Sequence, residues 1–473
     1  MRKTKIICTL GPSTDKEGIL EALIREGMDV ARFNFSHGTH EEQKARLERL
    51  KTLREQFDRP IAALLDTKGP EIRIGCFKDG RITLKEEQEF TLKNDEVEGT
   101  QDYVTVSYKD LYRDVKIGDS ILIDDGLVEM IVEKIEGKDI VCRVINGGDI
   151  SNRKGVNVPG VELKMPFISP KDRDDLLFGI QEDFDFVAAS FTRTADDIRE
   201  MRNLLDDNGG QLINIIAKIE NQQGVDNIDA IIEEADGIMV ARGDMGVEIP
   251  LEQVPIIQQR IIQKVYQAGK VVITATQMLD SMMVHPRPTR AEATDVANAI
   301  HQGTSAIMLS GETAAGKYPV EALKMMVKIA VSMEHDIDYN AIFRKSERAE
   351  DPDVTNAISH ATCMTAIDLK ARAILAASKT GCTARMISKY RPGCMIGGCS
   401  SSKKVCRQLN MSWGIYPLSV KEEYSSEILC LRAIEAAKNH GLVDDGDEIV
   451  FAGGIPLGIP GRTNLIRVCI VGE

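Results

Sequence analysis

The strongest constraint on this chain is an alternation repeated eight times, in which a short apolar run is followed in most cases by an amphipathic stretch long enough for a helix. The runs are TKIICTL (4–10), DVARFNF (29–35), PIAALLD (60–66), FDFVAAS (184–190), LINIIAKI (212–219), GIMVAR (237–242), KVVITAT (270–276) and SAIMLSG (305–311). EEQKARLERLKTLREQF (41–57) and VPIIQQRIIQKVYQAG (254–269) are two of the stretches between them. Strands separated by helices run parallel, and eight such units predict a (β/α)8 barrel.

Residues 215–248 show the unit most plainly. In an extended strand Lys218 and Glu220 leave one face while Ile215, Ala217 and Ile219 leave the other. Val225, Ile228, Ile231 and Ile232 then recur at helical spacing, and the next apolar run ends in Arg242-Gly243-Asp244. Ligands of barrels gather at the C-terminal ends of the strands, so Glu220 and Asp244 are expected at one rim. Near the ends of the other runs stand Arg32, Asn34, Ser36, Asp66, Thr67, Thr276 and Glu312. A solvated Lys218–Glu220 pair and a helix-capping Asp244 would look the same locally. Polar residues at six strand ends argue for a site.

Two carboxylates with only oxygen donors suit Mg2+ or Mn2+ rather than zinc. Gly243 allows close approach of backbone to a ligand, in an amide-lined anion site. A lysine, an arginine, two carboxylates and backbone amides suit phosphoryl transfer, which depends on positioning and charge neutralisation. The chain has no GxxxxGK[ST] loop and no protein-kinase signature, so a nucleotide must be held in another way.

After the third run the alternation stops for about a hundred residues. Segments 81–92, 103–108, 120–135 and 138–145 alternate apolar and polar, with turns at Asp125-Gly126 and Glu136-Gly137, as in a small all-β domain. Inserted at the active rim, it would serve as a water-excluding lid or as a passive decoration. After a charged, irregular connector (335–353), helices at 356–370 and 425–440 and strands at 371–378, 447–453 and 466–471 suggest an α/β sandwich. The expected division is 1–69 barrel, 70–167 β lid, 168–340 barrel and 341–473 C-terminal α/β regulatory domain. Within the last, Ser378, Lys379, Thr380, Gly381, Cys382 and Thr383 leave a strand and open a helix. Hydroxyls, a lysine and free amides make a phosphate cradle there, although an ordinary strand-to-helix turn has the same sequence.

At 473 residues the chain is long enough for two or three domains. Its net charge of −14 argues against a general nucleic-acid binder but leaves room for a local basic pocket. No apolar run approaches the roughly 18 residues of a membrane span, and MRKTKIICTLGPST turns polar too soon for a signal peptide, so a cytoplasmic location is expected. The ten cysteines are scattered without CxxC or zinc spacing and are expected to be free thiols.

Eight motifs in order, ARFNFSHG (31–38), LLDTKGPEIRIG (65–75), KGVNVPG (154–160), IAKIENQQG (216–224), MVARGDMGVEIP (239–250), TATQMLDSM (274–282), RPTRAEATDVANA (287–299) and IMLSGETAAGKYP (307–319), closely resemble those of the pyruvate kinases. The resemblance implies transfer of the phosphoryl group of phosphoenolpyruvate to ADP, giving pyruvate and ATP. It implies that Lys218 stabilises the phosphoryl group in flight, that Arg32 contacts that group, and that Glu220 and Asp244 hold Mg2+. Gly243 and Thr276 would bind the carboxylate side of the substrate. Asn34, Ser36, Asp66 and Thr67 match a K+ site, and Glu71 is the residue found in members that require K+. Asn34, Phe35, Ser36, His37, Arg73 and Lys154 match nucleotide contacts. The 378–383 loop, with 454–464 beside it, matches an effector loop for a sugar phosphate or nucleotide, in a family of homotetramers. The chain ends at Glu473 without the further C-terminal domain of some bacterial relatives. His285 and Trp413 receive no role. Two other readings of the residues stand beside this one: a metal-dependent lyase or aldolase acting through a pyruvate enolate, and a non-enzymatic metabolite sensor.

Overall fold

The computed structural model describes residues 1–345, 353–459 and 461–473. Eight strands close into a barrel: β1 (Lys5–Thr9), β2 (Val30–Asn34), β3 (Ala62–Asp66), β4 (Phe186–Ala189), β5 (Asn214–Ile219), β6 (Gly237–Ala241), β7 (Val271–Ala275) and β8 (Ala306–Leu309). Each lies within one of the eight apolar runs. Around the barrel the order is β1-β8-β7-β6-β5-β4-β3-β2, and every neighbouring pair is parallel. Helices that return the chain start at reciprocal caps: Thr39 with Glu42, Ser169 with Asp172, Thr194 with Asp197 and Thr289 with Glu292.

Side chains alternate along the strands. Ile6, Ala31, Leu65, Val187, Ile215 and Ile238 join the core between strands and helices, whereas Ile7, Val30, Leu64, Ala188, Ile216 and Met239 fill the barrel interior.

Between β3 and the helix Pro170–Gln181 lies a seven-stranded sheet in the order 72–73, 155–157, 120–123, 128–136, 139–146, 89–93, 103–105, beside a ribbon pairing 81–84 with 148–151. It has its own core, which includes Phe90, Leu92, Ile121, Met130 and Val144.

The C-terminal sheet has five strands: β9 (Ala373–Ala377), β10 (Met395–Ser400), β11 (Ile415–Ser419), β12 (Glu448–Gly453) and β13 (Leu465–Ile470). Their order is β11-β10-β9-β12-β13, with only β13 antiparallel to its neighbour. Helices Val354–Asp368 and Ser426–Asn439 overlap the expected segments. Two strands were not expected. β10 contains Gly397 and Gly398, where an added Cβ would come within 2.7 Å of Leu375 and 2.8 Å of Ile415, so close packing explains residues that read as loop. β11 contains Pro417, tolerated because β11 is the edge strand. The expected irregular connector is also corrected in part, since Tyr339–Lys345 is helical. Residues 346–352 of that connector lie outside the described residues.

This domain docks on the N-terminal end of the barrel. Met411 is fully buried in the same cluster as the barrel interior. Lys5 Nζ donates to the carbonyl of Ile415 (2.6 Å), and Asn410 Nδ2 donates to that of Pro60 (2.6 Å). Asp185, fully buried, pairs with Arg407 Nε at 2.7 Å and Arg54 Nη2 at 3.5 Å, and accepts the Ala63 amide at 2.9 Å. Removing its charge leaves the buried Arg54 without its ion-pair partner and Arg407 with only Asp183. Asp185→Asn is therefore expected to destabilise the chain by roughly 3 kcal/mol. An unchanged midpoint of urea unfolding would show that the seam does not depend on this carboxylate.

Candidate active site

The site follows from the period of two. One step beyond the apolar interior, at the C-terminal ends of five strands, the inward positions are Thr9 after Ile7, Arg32 after Val30, Asp66 after Leu64, Ser190 after Ala188 and Lys218 after Ile216. A polar layer thus sits on an oily one. Asp66, 1% exposed, is its centre. Its Oδ2 accepts Arg32 Nε at 2.6 Å, and its Oδ1 accepts Lys218 Nζ at 3.1 Å and Ser190 Oγ at 3.2 Å. Lys218 also donates to Ser190 Oγ (2.7 Å), and Arg32 Nη1 donates to Thr9 Oγ1 (3.0 Å). Burial alone would push the Asp66 carboxyl up, but Arg32 and Lys218 outweigh it and hold the group below its ordinary value. Burial alone would lower Lys218, yet Asp66 and Glu220 raise it, so it stays an ammonium ion.

Glu220, 0% exposed, is the next inward residue on that strand's exit. Its Oε2 accepts the Phe191 amide at 2.5 Å, while Oε1 lies 3.0 Å from Lys218 Nζ without receiving a hydrogen bond. Burial and the nearby Asp244 carboxylate push Glu220 up to about 7 against the pull of Lys218. A buried carboxylate with an unsatisfied oxygen and an acidic neighbour is short of positive charge. Two carboxylates open to further oxygens are a donor set for a hard divalent cation, which takes one or two carboxylates and leaves the remaining positions to substrate and water. Among the described residues no group of three His, Cys, Asp or Glu side chains gathers as a fuller metal cage.

Gly243 and Thr276 meet at the ends of β6 and β7, where the Gly243 amide donates to Thr276 Oγ1 at 2.7 Å. Thr276 has φ +67° and Gln277 φ +51°, a left-handed pair that a β-branched residue rarely enters. Arg242 holds it there, with Nε on the Ala275 carbonyl (3.1 Å), Nη2 on that of Thr276 (2.7 Å) and Nη1 on Asp295 (2.7 Å). Glu312 is buried and accepts the Leu279 and Ser310 amides, so it supports this corner from behind.

At the β2 exit, Asn34 is the register partner of Asp66, and its Oδ1 accepts the Ser36 amide at 3.0 Å. His37 is exposed. Phe35, expected among nucleotide contacts, instead turns its ring into the core against Phe178 and Phe184 and leaves only backbone at the rim. Thr67 Oγ1 donates to the Ala188 carbonyl at 3.2 Å.

Arg73 and Lys154 lie side by side in the inserted domain, since Arg73 pairs with Gly155 across the ladder. Arg73 is bound to Glu71 at 2.6 Å and Lys154 to Asp124 at 2.9 Å. Asp125 of this domain is raised by burial and by the Asp244 carboxylate across the cleft. Asn157 Nδ2 donates to Glu248 of the barrel at 2.8 Å. The cleft enclosed in this way has a volume of about 290 Å³ and is lined by Glu71, Asp125, Asn157, Arg193, Asp244 and Glu248 among others.

Residues to which the sequence reading gave no site role are Thr9, Ser190, Arg242 and the Asp125–Asn157 edge. Ser190 ends the run FDFVAAS two positions after inward Ala188, so the spacing that identified Lys218 also identifies it.

A separate cavity of about 190 Å³ lies in the C-terminal domain. Ser378, Lys379 and Thr383 line it from one side and Leu457, Gly458, Ile459, Arg462, Thr463 and Leu465 from the other, with Thr383 and Thr463 hydroxyls 2.8 Å apart. Lys379 is paired with Glu422 at 2.8 Å, and Thr380 is exposed. Gly381, at φ +77°, turns the chain into the helix Cys382–Lys389.

Family models described as "Pyruvate kinase, barrel domain" and "Pyruvate kinase, alpha/beta domain" match residues 1–323 and 356–469. The pyruvate kinase of Clostridium acetobutylicum is 49% identical over 472 residues, covering 100% of both chains. That of Clostridium perfringens is 50% identical over 471 residues, 99% of each chain. A crystal structure of a pyruvate kinase from Cryptosporidium parvum has a TM-score of 0.95 at 38% identity, covering 99% of this chain and 96% of that one. Such matches do not favour reading the cluster as a lyase or a sensor without activity. Running through both domains, they show that the chain belongs to the pyruvate kinase family.

Proposed function

We propose that the polar layer at the barrel mouth carries the reaction of the family, phosphoryl transfer from phosphoenolpyruvate to ADP, with Lys218 as its central group. The observation that supports this most is a buried ammonium held between Asp66 and Glu220 and beside Arg32, in a mouth roofed by the inserted domain. A phosphoryl group in transfer spreads negative charge over its oxygens, and fixed cations in a water-poor site stabilise that charge without reorganising.

Arg32 would bind the phosphoryl oxygens of the bound substrate, its guanidinium oriented by Asp66 and Thr9. The Gly243 amide and the Thr276 hydroxyl would take the substrate carboxylate, exchanging their bond to each other for bonds to the ligand. Glu220 and Asp244 would hold Mg2+ or Mn2+, whose charge, when bound, neutralises phosphoryl and enolate oxygens. Asn34, Ser36, Asp66 and Thr67 form an oxygen-only set at the neighbouring rim that suits K+. Asn34 to His37, Arg73 and Lys154 would hold ADP, and residues 70–167 would act as the lid that brings the last two over the mouth.

The reading extends to regulation and assembly. The C-terminal cavity would receive a phosphorylated effector. Exposed Ile428, Leu431, Val468 and Ile470 on the Ser426–Asn439 helix and edge strand β13 support assembly with further copies, consistent with a tetramer. A monomeric mass by light scattering would remove that assembly. A role in glycolysis would put the enzyme in the cytoplasm.

Lys218→Met should lower kcat roughly a thousandfold with little change in KM for phosphoenolpyruvate, because the charge acts mainly in the transition state. Near-normal turnover would sink the role given to Lys218. Pyruvate formation should fail in buffer without monovalent metal ions and return with K+. Equal rates would keep the reaction and strike the K+ assignment. Thr380→Glu should abolish activation by a sugar phosphate while basal turnover persists, and an unchanged response would place the effector elsewhere.

A further inference from the structure

Where the base of the barrel meets the C-terminal domain, Arg391 is sandwiched between two rings. Its guanidinium carbon lies 4.4 Å from the centroid of Trp413 and 5.2 Å from that of Tyr266. The residue is 6% exposed, and its Nη2 donates to the Gly303 carbonyl of the barrel at 2.8 Å. Its Nη1 is buried without a partner, and so is the hydroxyl of Tyr266. Both residues line a small cavity of about 20 Å³, joined there by Arg385 and Lys389 from the helix Cys382–Lys389.

The charge balance of this cavity is one-sided. Among the described residues no carboxylate forms an ion pair with Arg385, Lys389 or Arg391; the acidic influences on them act from beyond ion-pair distance, Asp353 on Lys389, Asp236 on Arg385 and Glu334 on Arg391. Lys270, the other cation on the wall, is already spent on the carbonyls of Ile232, Glu233 and Ala235 at 2.5 to 2.8 Å. Burial lowers all three cations, Arg391 to about 10, and the distant carboxylates do not offset it.

Cations and a phenol that can donate, gathered without a carboxylate in contact, are complementary to an acceptor-only ligand with negative charge. A space of this size holds about one or two water-sized atoms, so the oxygens of a tetrahedral oxyanion could enter while the rest of a larger ligand stayed at the open side. We propose that this cavity is a phosphate site, taking inorganic phosphate or the phosphoryl group of a metabolite between the barrel base and the C-terminal domain. It is separate from the barrel mouth, at the opposite end of the strands, and from the cavity lined by Ser378, Lys379, Thr383 and Thr463. The inference does not rest on the residue roles given for phosphoryl transfer.

Trp413 is the only tryptophan of the chain and is stacked on Arg391, so its emission reports on this cavity. Potassium phosphate titrated at constant ionic strength against KCl should change that emission saturably. Arg385→Met and Lys389→Met, at partly exposed positions without ion-pair partners, should each weaken the apparent affinity roughly tenfold or more. Lys218→Met and Thr380→Glu, located in the other two anion-binding regions, should leave the titration unaltered. Saturation by a hexose phosphate at much lower concentration than by phosphate would identify a metabolite as the source, and a response to phosphate alone would identify the free ion. The absence of any saturable response to either ligand would overturn the proposal in the wild-type chain, whatever the variants do. An undiminished response in Arg385→Met and Lys389→Met, or its loss in Thr380→Glu, would equally place the bound anion elsewhere.

Discussion

One buried carboxylate, Asp66, sets the geometry of the barrel mouth. It holds Arg32 from β2, Lys218 from β5 and Ser190 from the end of β4, and so ties together side chains far apart in sequence. Two cations side by side would repel, and each would be costly to bury alone. With Asp66 between them both remain charged, aimed into one space before any substrate arrives. In the proposed reaction, preorganisation of this kind would remove much of the reorganisation that water has to undergo around a moving phosphoryl group.

How much of this is legible in the sequence depends on the physics involved. Parallel strands repeat every two residues, so one inward side chain implies the next, and Arg32, Asp66, Lys218 and Glu220 follow from their runs. Ser190 obeys the same rule but has a side chain that attracts little notice at the end of an apolar run. Arg242 is harder, because its work is to hold the left-handed backbone at Thr276, and no periodicity encodes a φ angle. Phe35 shows the opposite case: a residue inside a recognisable motif whose ring belongs to the core. In the C-terminal sheet, β10 was hidden because close packing requires glycines where strand propensity asks for branched side chains. The helix Tyr339–Lys345 was hidden by charges on either side of it.

The two ends of the barrel are used differently. At the C-terminal ends of the strands the inserted domain touches the barrel through polar contacts such as Asn157 to Glu248 and Arg193 to the carbonyls of Leu163 and Met165. Contacts of this type exchange readily with water. The base is instead joined by buried charge and apolar packing, so its surfaces are costly to separate.

Met411 gives that difference a mechanical meaning. Its side chain comes from the C-terminal domain yet completes the hydrophobic filling of the barrel itself. Sideways sliding of the domain would draw this side chain out of its well, whereas a small tilt about it would keep the well filled. The methionine therefore works as a dowel, opposing sideways sliding of the two bodies past one another. A substitute domain grafted onto this barrel would need a side chain of similar length at the same place before the barrel could close around it.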